Sequence, residues 1–184
     1  NLPFEPIALS KMGYKHFMLK EIHEQPEILS NNLKMKITNV DSKINFPELS
    51  KIDSVLSKIQ NIKIIAAGSS LNAGITAKYI IEDLTGITVE TASSTEYIYR
   101  NNTTNSSSLV IGISQSGETT NTIASMEVAK SKNATILVLT NNLKSSITKY
   151  ADCVIPLNAG IEVSVTATKS YTAQLLMLYI FALY

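Results

Sequence analysis

The feature that most constrains the fold is an alternation of five short apolar runs with segments of helical periodicity. The runs are rich in isoleucine, valine and leucine, and they occupy residues 62–67, 86–91, 109–113, 134–140 and 152–157. Short apolar runs of this kind are typical of buried strands. Because helical segments separate the runs, the strands are expected to be parallel and joined by right-handed crossovers. The pattern predicts an α/β fold: a doubly wound three-layer sandwich around a five-stranded parallel sheet.

The residues before the first run predict helices that precede the sheet. Residues 14–33 have helical spacing, which Pro26 is expected to interrupt so that a second short helix follows it. Residues 47–59 place their apolar side chains on one helical face, with Pro47 near the start. This second segment is therefore predicted to be one continuous helix.

The domain organisation follows from these segments. Residues 1–46 are interpreted as an N-terminal lead-in with helices, and residues 47–184 as the main domain. The final helix is expected to begin at Thr166 or Thr168 and to end within the apolar run 175–184. That run is shorter than the roughly 20 residues that a membrane-spanning helix needs. We expect a buried helix that is cut short, in a piece of a longer protein.

A hydroxyl-rich turn follows the third strand and is the strongest functional signal from the residues alone. Residues 114–119, Ser-Gln-Ser-Gly-Glu-Thr, lie between a strand and a helix, where free backbone N–H groups and the helix dipole favour an anion such as phosphate. The alternative is that Ser116 is an ordinary N-cap and Glu118 an acid of the first turn. That alternative accounts for one serine and one glutamate only, so we favour anion binding.

A second polar turn is expected at the same edge of the sheet. Residues 68–74 begin Gly-Ser-Ser and follow the first strand, as residues 114–119 follow the third. In open parallel sheets a ligand binds beyond the carboxyl ends of the strands, where the strand order reverses. The two turns are therefore predicted to converge on one ligand.

Composition argues against several other functions. The net charge of +1 offers no bulk field for nucleic acid or a membrane surface. The single cysteine, Cys153, is interpreted as a small core residue, and its lack of a disulfide partner fits a reducing cytosol. With only His16 and His23 available, no metal cluster is expected. No Walker loop or dinucleotide motif is present, and no cofactor is predicted.

Four blocks of the sequence carry a resemblance to a known family. They are residues 13–26 (GYKHFMLKEIHEQP), 67–70 (AGSS), 113–119 (ISQSGET) and 162–174 (EVSVTATKSYTAQ). Together they resemble the sugar isomerase (SIS) fold. The match is most specific to the first SIS domain in the isomerase half of the glutamine:fructose-6-phosphate aminotransferase family. The resemblance implies a flavodoxin-like sheet topology.

The resemblance also implies roles for individual residues. It assigns the sugar phosphate group to Ser114, Gln115, Ser116 and Thr119, and it assigns sugar contacts to Ser69, Ser70 and the backbone of Val165. Glu162 and Lys169 match family positions to which we give a structural role. One departure is that bacterial members often have Cys-Gly-Thr-Ser where this chain has Ala-Gly-Ser-Ser at 67–70. The hydroxyl groups are retained, so binding is still expected.

The activity that the resemblance implies belongs to a longer enzyme. That enzyme makes glucosamine 6-phosphate from fructose 6-phosphate and glutamine, and its glutaminase domain and second SIS domain are missing from this chain. The catalytic groups of the family lie in those missing parts, so no catalytic residue is assigned here. The implied partners are fructose 6-phosphate or glucosamine 6-phosphate and a second copy in a homodimer, in the cytoplasm, with no nucleic acid and no membrane. The last helix is expected to pack against another chain or to be otherwise shielded.

Two alternatives remain for the function. A stand-alone phosphosugar-binding regulator would be favoured by a helix-turn-helix segment, which the sequence does not show. A single-domain phosphosugar isomerase would need its own acid or base near the strand ends. Glu96 and Glu162 are the only candidates for that role, and both are weak.

Overall fold

The computed structural model describes residues 10–37, 43–101 and 103–184. Within these ranges the helices are α1 (Phe17–Lys36), α2 (Asp53–Leu56), α3 (Gly68–Thr85), α4 (Ser94–Tyr99), α5 (Thr120–Ser131) and α6 (Lys169–Leu183). Two 3-10 helices occupy Pro47–Lys51 and Ser146–Tyr150. The strands are β1 (Asn61–Ala66), β2 (Thr88–Ser93), β3 (Ser108–Ile113), β4 (Thr135–Thr140) and β5 (Cys153–Pro156). Residues 1–9, the beginning of the lead-in expected within residues 1–46, lie outside the described residues.

The five strands form one sheet in the order β2-β1-β3-β4-β5, and every neighbouring pair is parallel. The α/β prediction with five parallel strands is confirmed, and the strand order is the flavodoxin-like one. Because consecutive side chains of a strand point to opposite faces, the sheet supplies two cores. Ile62 and Ile64 pack into one core, and Ile65 packs into the other.

Helices cover both faces of the sheet and complete the three layers. Helices α1, α3 and α6 pack on one side, and α4, α5 and the second 3-10 helix pack on the other. Cys153 lies in the first core, where its thiol donates to the backbone carbonyl of Glu48 (3.1 Å) and burial raises its pKa to about 11. It is the core residue that the sequence indicated.

The topology places two loops side by side at the carboxyl edge. Strand β1 lies between β2 and β3. The connection after β1 therefore runs toward β2, and the connection after β3 runs the opposite way, toward β4. Ala66 is paired with Ile113 at the last register position of these two strands. The loops that start at Ala67 and Ser114 are consequently neighbours at the point where the strand order reverses.

Helix α1 corrects one expectation, because it runs without interruption through Pro26. Proline has no N–H to donate to the carbonyl of the residue four positions earlier, here Ile22. The side-chain amide of Gln25 donates to that carbonyl instead, at 3.0 Å. The helix therefore continues, because the hydrogen bond from the Gln25 side chain replaces the main-chain hydrogen bond that Pro26 cannot form.

The segment 47–59 corrects a second expectation, because it is not one continuous helix. It forms a 3-10 helix followed by the single turn α2. The amides of Leu49, Ile52 and Val55 donate to the carbonyls of Phe46, Leu49 and Ile52, three residues earlier in each case. A three-residue spacing of apolar side chains suits this tighter helix, in which residues i and i+3 eclipse. The predicted apolar face does reach the core.

The last helix, α6, is shielded within this chain. It packs against α1 and α3, and Ala173, Met177 and Leu178 are fully buried. None of the helices in the described ranges is long and apolar enough to cross a membrane.

Candidate functional site

All seven residues assigned to phosphate or sugar line a single cavity of about 220 Å³ at the carboxyl edge of the sheet. They are Ser114, Gln115, Ser116, Thr119, Ser69, Ser70 and Val165. The first turn of α3, directly after β1, and the loop after β3 supply six of them, and the segment before α6 supplies the seventh. Convergence of the two turns, expected from the topology alone, is what the structure shows; the binding role of each residue stays a prediction.

The hydroxyl-rich turn is organised by its own side chains. Ser114 is buried, its Oγ accepts from the backbone N–H of Gly117 (3.0 Å), and it shares a hydrogen bond with Thr119 Oγ1 (2.9 Å). Ser116 Oγ accepts from the backbone N–H of Glu118 (3.1 Å). One hydroxyl hydrogen of the Ser114–Thr119 pair and that of Ser116 thus remain able to donate. Both are available to a ligand anion.

Helix α5 begins at Thr120, which is later in the sequence than the interpretation of Ser116 as an N-cap requires. Thr119 is its N-cap and Thr120 its first residue, so Ser116 does not cap it and Glu118 is not in its first turn. Glu118 instead holds the second 3-10 helix through the backbone N–H of Ser146 (2.8 Å). Hydrogen bonds from the Ser146 side chain and backbone lower the pKa of the Glu118 carboxyl below its usual value.

The polar groups that could bind an anion in the cavity are neutral. Neither α3 nor α5 has a side-chain cap hydrogen bond, so no side-chain cap uses their first-turn amides. Residues at the start of both helices line the cavity: Ser69 and Ser70 of α3, and Thr119, the N-cap of α5. The aligned peptide dipoles give both helix ends a partial positive charge. Among the described residues that line the cavity, none is lysine or arginine, and the one charged residue is Glu162.

The sugar-facing side of the cavity is formed by α3 and the segment before α6. Ser70 is buried and Ser69 is exposed at the start of α3. The side chain of Val165 is fully exposed, although the residue lines the cavity. This arrangement agrees with a backbone contact from Val165 and hydroxyl contacts from the two serines.

Glu162 lines the cavity, but its oxygens are engaged within the protein. Oε1 accepts from the backbone N–H of Thr168 (2.9 Å), from Thr168 Oγ1 (3.0 Å) and from the N–H of Ser170 (3.2 Å). Oε2 accepts from the hydroxyl of Ser170. The carboxylate therefore caps the N-terminus of α6, which fits the structural role suggested by the sequence. Glu96, the other acid considered, is exposed on α4 and does not line the cavity.

Helix α1 supplies two contacts that the sequence analysis missed. The buried carboxylate of Glu21 accepts hydrogen bonds from the backbone N–H groups of Val163 (2.6 Å) and Ser164 (3.2 Å) and from the hydroxyl of Ser164. Glu24 pairs with the buried ammonium of Lys169 at 2.7 Å. The only sequence signal was two acids within the first family-like block, and their partners lie more than 140 residues away in the sequence.

A larger cavity of about 490 Å³ lies at the opposite edge of the sheet. Its lining includes Ile62 and Leu109, near the amino ends of β1 and β3, together with Phe181 of α6. Most of its lining residues are apolar, although Ser54, Ser57 and Thr85 contribute hydroxyl groups, whereas most residues that line the smaller cavity are polar. The chemistry of binding therefore points to the carboxyl edge, where polar donors converge.

The chain matches a known protein family over most of its length. The family model for the SIS domain matches residues 55–184. Glutamine–fructose-6-phosphate aminotransferase [isomerizing] from Caldanaerobacter subterraneus subsp. tengcongensis is 44% identical over 176 residues, which are 96% of this chain and 29% of that protein. The enzyme of the same name from Methanosarcina mazei is 41% identical over 175 residues, 95% of this chain and 28% of that protein. The chain thus spans less than a third of the length of these curated relatives.

Solved structures show the same fold. The C-terminal domain of glucosamine-fructose-6-phosphate aminotransferase from Francisella tularensis superposes with a TM-score of 0.86 at 39% identity, covering 95% of this chain and 48% of that one. Tagatose-6-phosphate ketose/aldose isomerase from Escherichia coli has a TM-score of 0.72 at 19% identity, covering 91% of this chain and 47% of that one, which shows the fold alone. With the family model matched over most of its length, the chain belongs to the SIS domain family.

Proposed function

We propose that this chain is the phosphosugar-binding first SIS domain of an isomerising glutamine–fructose-6-phosphate aminotransferase that acts in the cytoplasm. In this proposal the cavity binds fructose 6-phosphate or glucosamine 6-phosphate, and the parent enzyme makes the second from the first with glutamine as the amino donor. The proposal rests on one observation: six polar residues and Val165, which is assigned a backbone contact, all line one cavity. The names and identities of the relatives support the choice of sugar phosphate.

The phosphate group is assigned to the turn after β3. A phosphate oxygen there would accept from the free hydroxyl hydrogens of Ser116 and of the Ser114–Thr119 pair, and from the first-turn amides of α5. Gln115 adds a side-chain amide to the lining. Neutral donors in a partly enclosed site suit a phosphate that must also be released.

The sugar is assigned to the space between α3 and the segment before α6. Ser69 and Ser70 offer hydroxyl groups, and the backbone near Val165 offers peptide groups. Both can pair with sugar hydroxyls, which act as donor and acceptor. Ser70 lies in the first turn of α3, four residues after Ala66, which pairs with Ile113 at the end of β3, so the sugar and phosphate contacts are assigned to adjacent connections of the chain.

The test is a calorimetric titration of the chain with fructose 6-phosphate. Removing the Ser116 hydroxyl deletes a donor to a charged group, so Ser116→Ala is expected to weaken binding by about tenfold or more. Ser131→Ala, at the exposed far end of α5, is the matched control and should bind as the wild type does. Undetectable binding by the wild type at millimolar ligand, or unchanged affinity in Ser116→Ala, would contradict the assignment.

Self-association is the second part of the proposal. Helix α1 exposes Met18, Leu19 and Ile22, and the neighbouring segment exposes Val163 and Val165. These two segments are in contact, and apolar side chains exposed near one another favour association in water. We expect a dimer through this side of the molecule, which sedimentation velocity at tens of micromolar protein would detect. A single monomeric species would rule out that dimer.

A further inference from the structure

We infer that Glu21 is a positioning residue that holds the sugar-facing segment, residues 162–168, in its binding conformation. The inference rests on the proposed function and extends it to a helix outside the family match, which covers residues 55–184. In this arrangement α1 is part of the sugar site although no residue of α1 lines the cavity.

The segment needs such support because it has no regular secondary structure. Residues 161–168 contain neither helix nor strand, so no ladder of main-chain bonds fixes their path. The side chains of Val163 and Val165 are exposed at 45% and 104%, and they contribute little packing to hold the segment. Its position therefore depends on hydrogen bonds from side chains elsewhere in the fold.

Glu21 meets that need from a buried position. Its side chain belongs to a residue only 2% exposed, and both carboxylate oxygens accept hydrogen bonds from the segment. Hydrogen bonds to an ionised acceptor are about twice as strong as neutral ones. Ser164, which donates to Glu21 through both its N–H and its hydroxyl, also lines the cavity. A shift of Ser164 would change the shape of the sugar-facing wall directly.

The rest of the network fixes the two ends of the connection. Glu162 begins the segment and caps α6, as described above. Lys169, the first residue of α6 and the residue that follows the segment, pairs with Glu24 one turn along α1 from Glu21. Helix α1 therefore holds the middle of the segment through Glu21 and the residue that follows it through Glu24. The phosphate turn after β3 has no hydrogen bond to α1 among the described residues, so phosphate contacts should not depend on Glu21.

This difference between the two halves of the site gives the experiment. Dissociation constants for fructose 6-phosphate and for inorganic phosphate are measured for the wild type, Glu21→Ala, Glu21→Gln and the control Glu27→Ala, which alters an exposed glutamate of the same helix. Glu21→Ala is expected to weaken fructose 6-phosphate binding about tenfold with phosphate binding unchanged. Glu21→Gln, which keeps a neutral acceptor, should be intermediate, and Glu27→Ala should match the wild type. Equal losses for both ligands, or no loss for the sugar phosphate, would overturn the inference.

Amide hydrogen exchange provides a readout that needs no ligand. The N–H groups of Val163 and Ser164 should exchange slowly in the wild type, faster in Glu21→Gln and fastest in Glu21→Ala. If Glu21→Ala does not fold, the comparison of wild type with Glu21→Gln decides the matter, and identical exchange at both amides would overturn the inference. A wild type that binds phosphate but not fructose 6-phosphate would instead refute the proposed function, while protected amides would still show the Glu21 contact.

Discussion

Gly117 and Ser145 approach so closely that no larger residue fits at position 117. A Cβ placed on Gly117 would lie 1.9 Å from Ser145 Oγ and 2.9 Å from Thr140 Oγ1. The backbone of Gly117 also has φ of +69°, a conformation that L-residues other than glycine rarely adopt. The turn to which we assign the phosphate is thus packed directly against the chain that leaves β4.

The first prediction follows from this contact. Gly117→Ala is expected to lower the free energy of unfolding by about 2–4 kcal/mol. The cost of a left-handed backbone at alanine adds to the cost of the steric overlap with Ser145. Gly86→Ala is the matched control, because Gly86 has φ of +68° and open space around its Cβ position. It should cost only about 1 kcal/mol. Equal losses in denaturant unfolding would show that the contact with Ser145 is unimportant.

The second prediction concerns the pH dependence of the same turn. Because the folded-state pKa of Glu118 is lowered from its ordinary value of 4.5, the ionised carboxylate contributes stability above that value. The contribution is lost as the pH falls through the folded-state pKa. Glu118→Gln should therefore be less stable than the wild type near neutral pH, and the two should converge in acid. Denaturant unfolding curves measured across this pH range test the prediction. A difference in stability between the two proteins that widens in acid would contradict it.

The sheet and the convergence of its loops could be predicted from sequence because both follow from local rules. Five apolar runs with helices between them leave parallel strands as the consistent arrangement, and parallel strands place residues 68–70 and 114–119 at one edge. All five strands appear in the structure, with β2 displaced by two residues toward its C-terminus. The proximity of Ser114 and Ser70 could thus be predicted without knowledge of any side-chain contact.

Other features could not be predicted because they depend on specific side-chain partners. The helix passes Pro26 because Gln25 donates to the carbonyl that proline leaves unpaired. Glu21 reaches Val163 and Ser164 only because α6 folds back against α1. A single sequence shows neither contact, since the first replaces one hydrogen bond within a helix and the second joins distant parts of the chain.

The last prediction separates binding from turnover. Isomerising fructose 6-phosphate requires a base that moves a proton between C1 and C2, and such general acid–base catalysis contributes about 10²–10⁴-fold. Glu162 is the only carboxylate that lines the cavity in the part of the chain described, and its oxygens already accept hydrogen bonds from Thr168 and Ser170. A carboxylate held this way stabilises the start of α6 and is poorly placed to accept a substrate proton. The chain alone is expected to bind the sugar phosphate without isomerising it.

Proton NMR in deuterium oxide measures this directly. Fructose 6-phosphate incubated with the chain should gain no deuterium at C1 and give no glucose 6-phosphate beyond the buffer control, while an added phosphoglucose isomerase confirms that the assay responds. Glu162→Gln keeps one acceptor oxygen for the cap of α6, so it should still fold, and its binding of fructose 6-phosphate is measured alongside. Deuterium incorporation that scales with the wild-type protein and disappears in Glu162→Gln would instead identify Glu162 as the base of a single-domain isomerase.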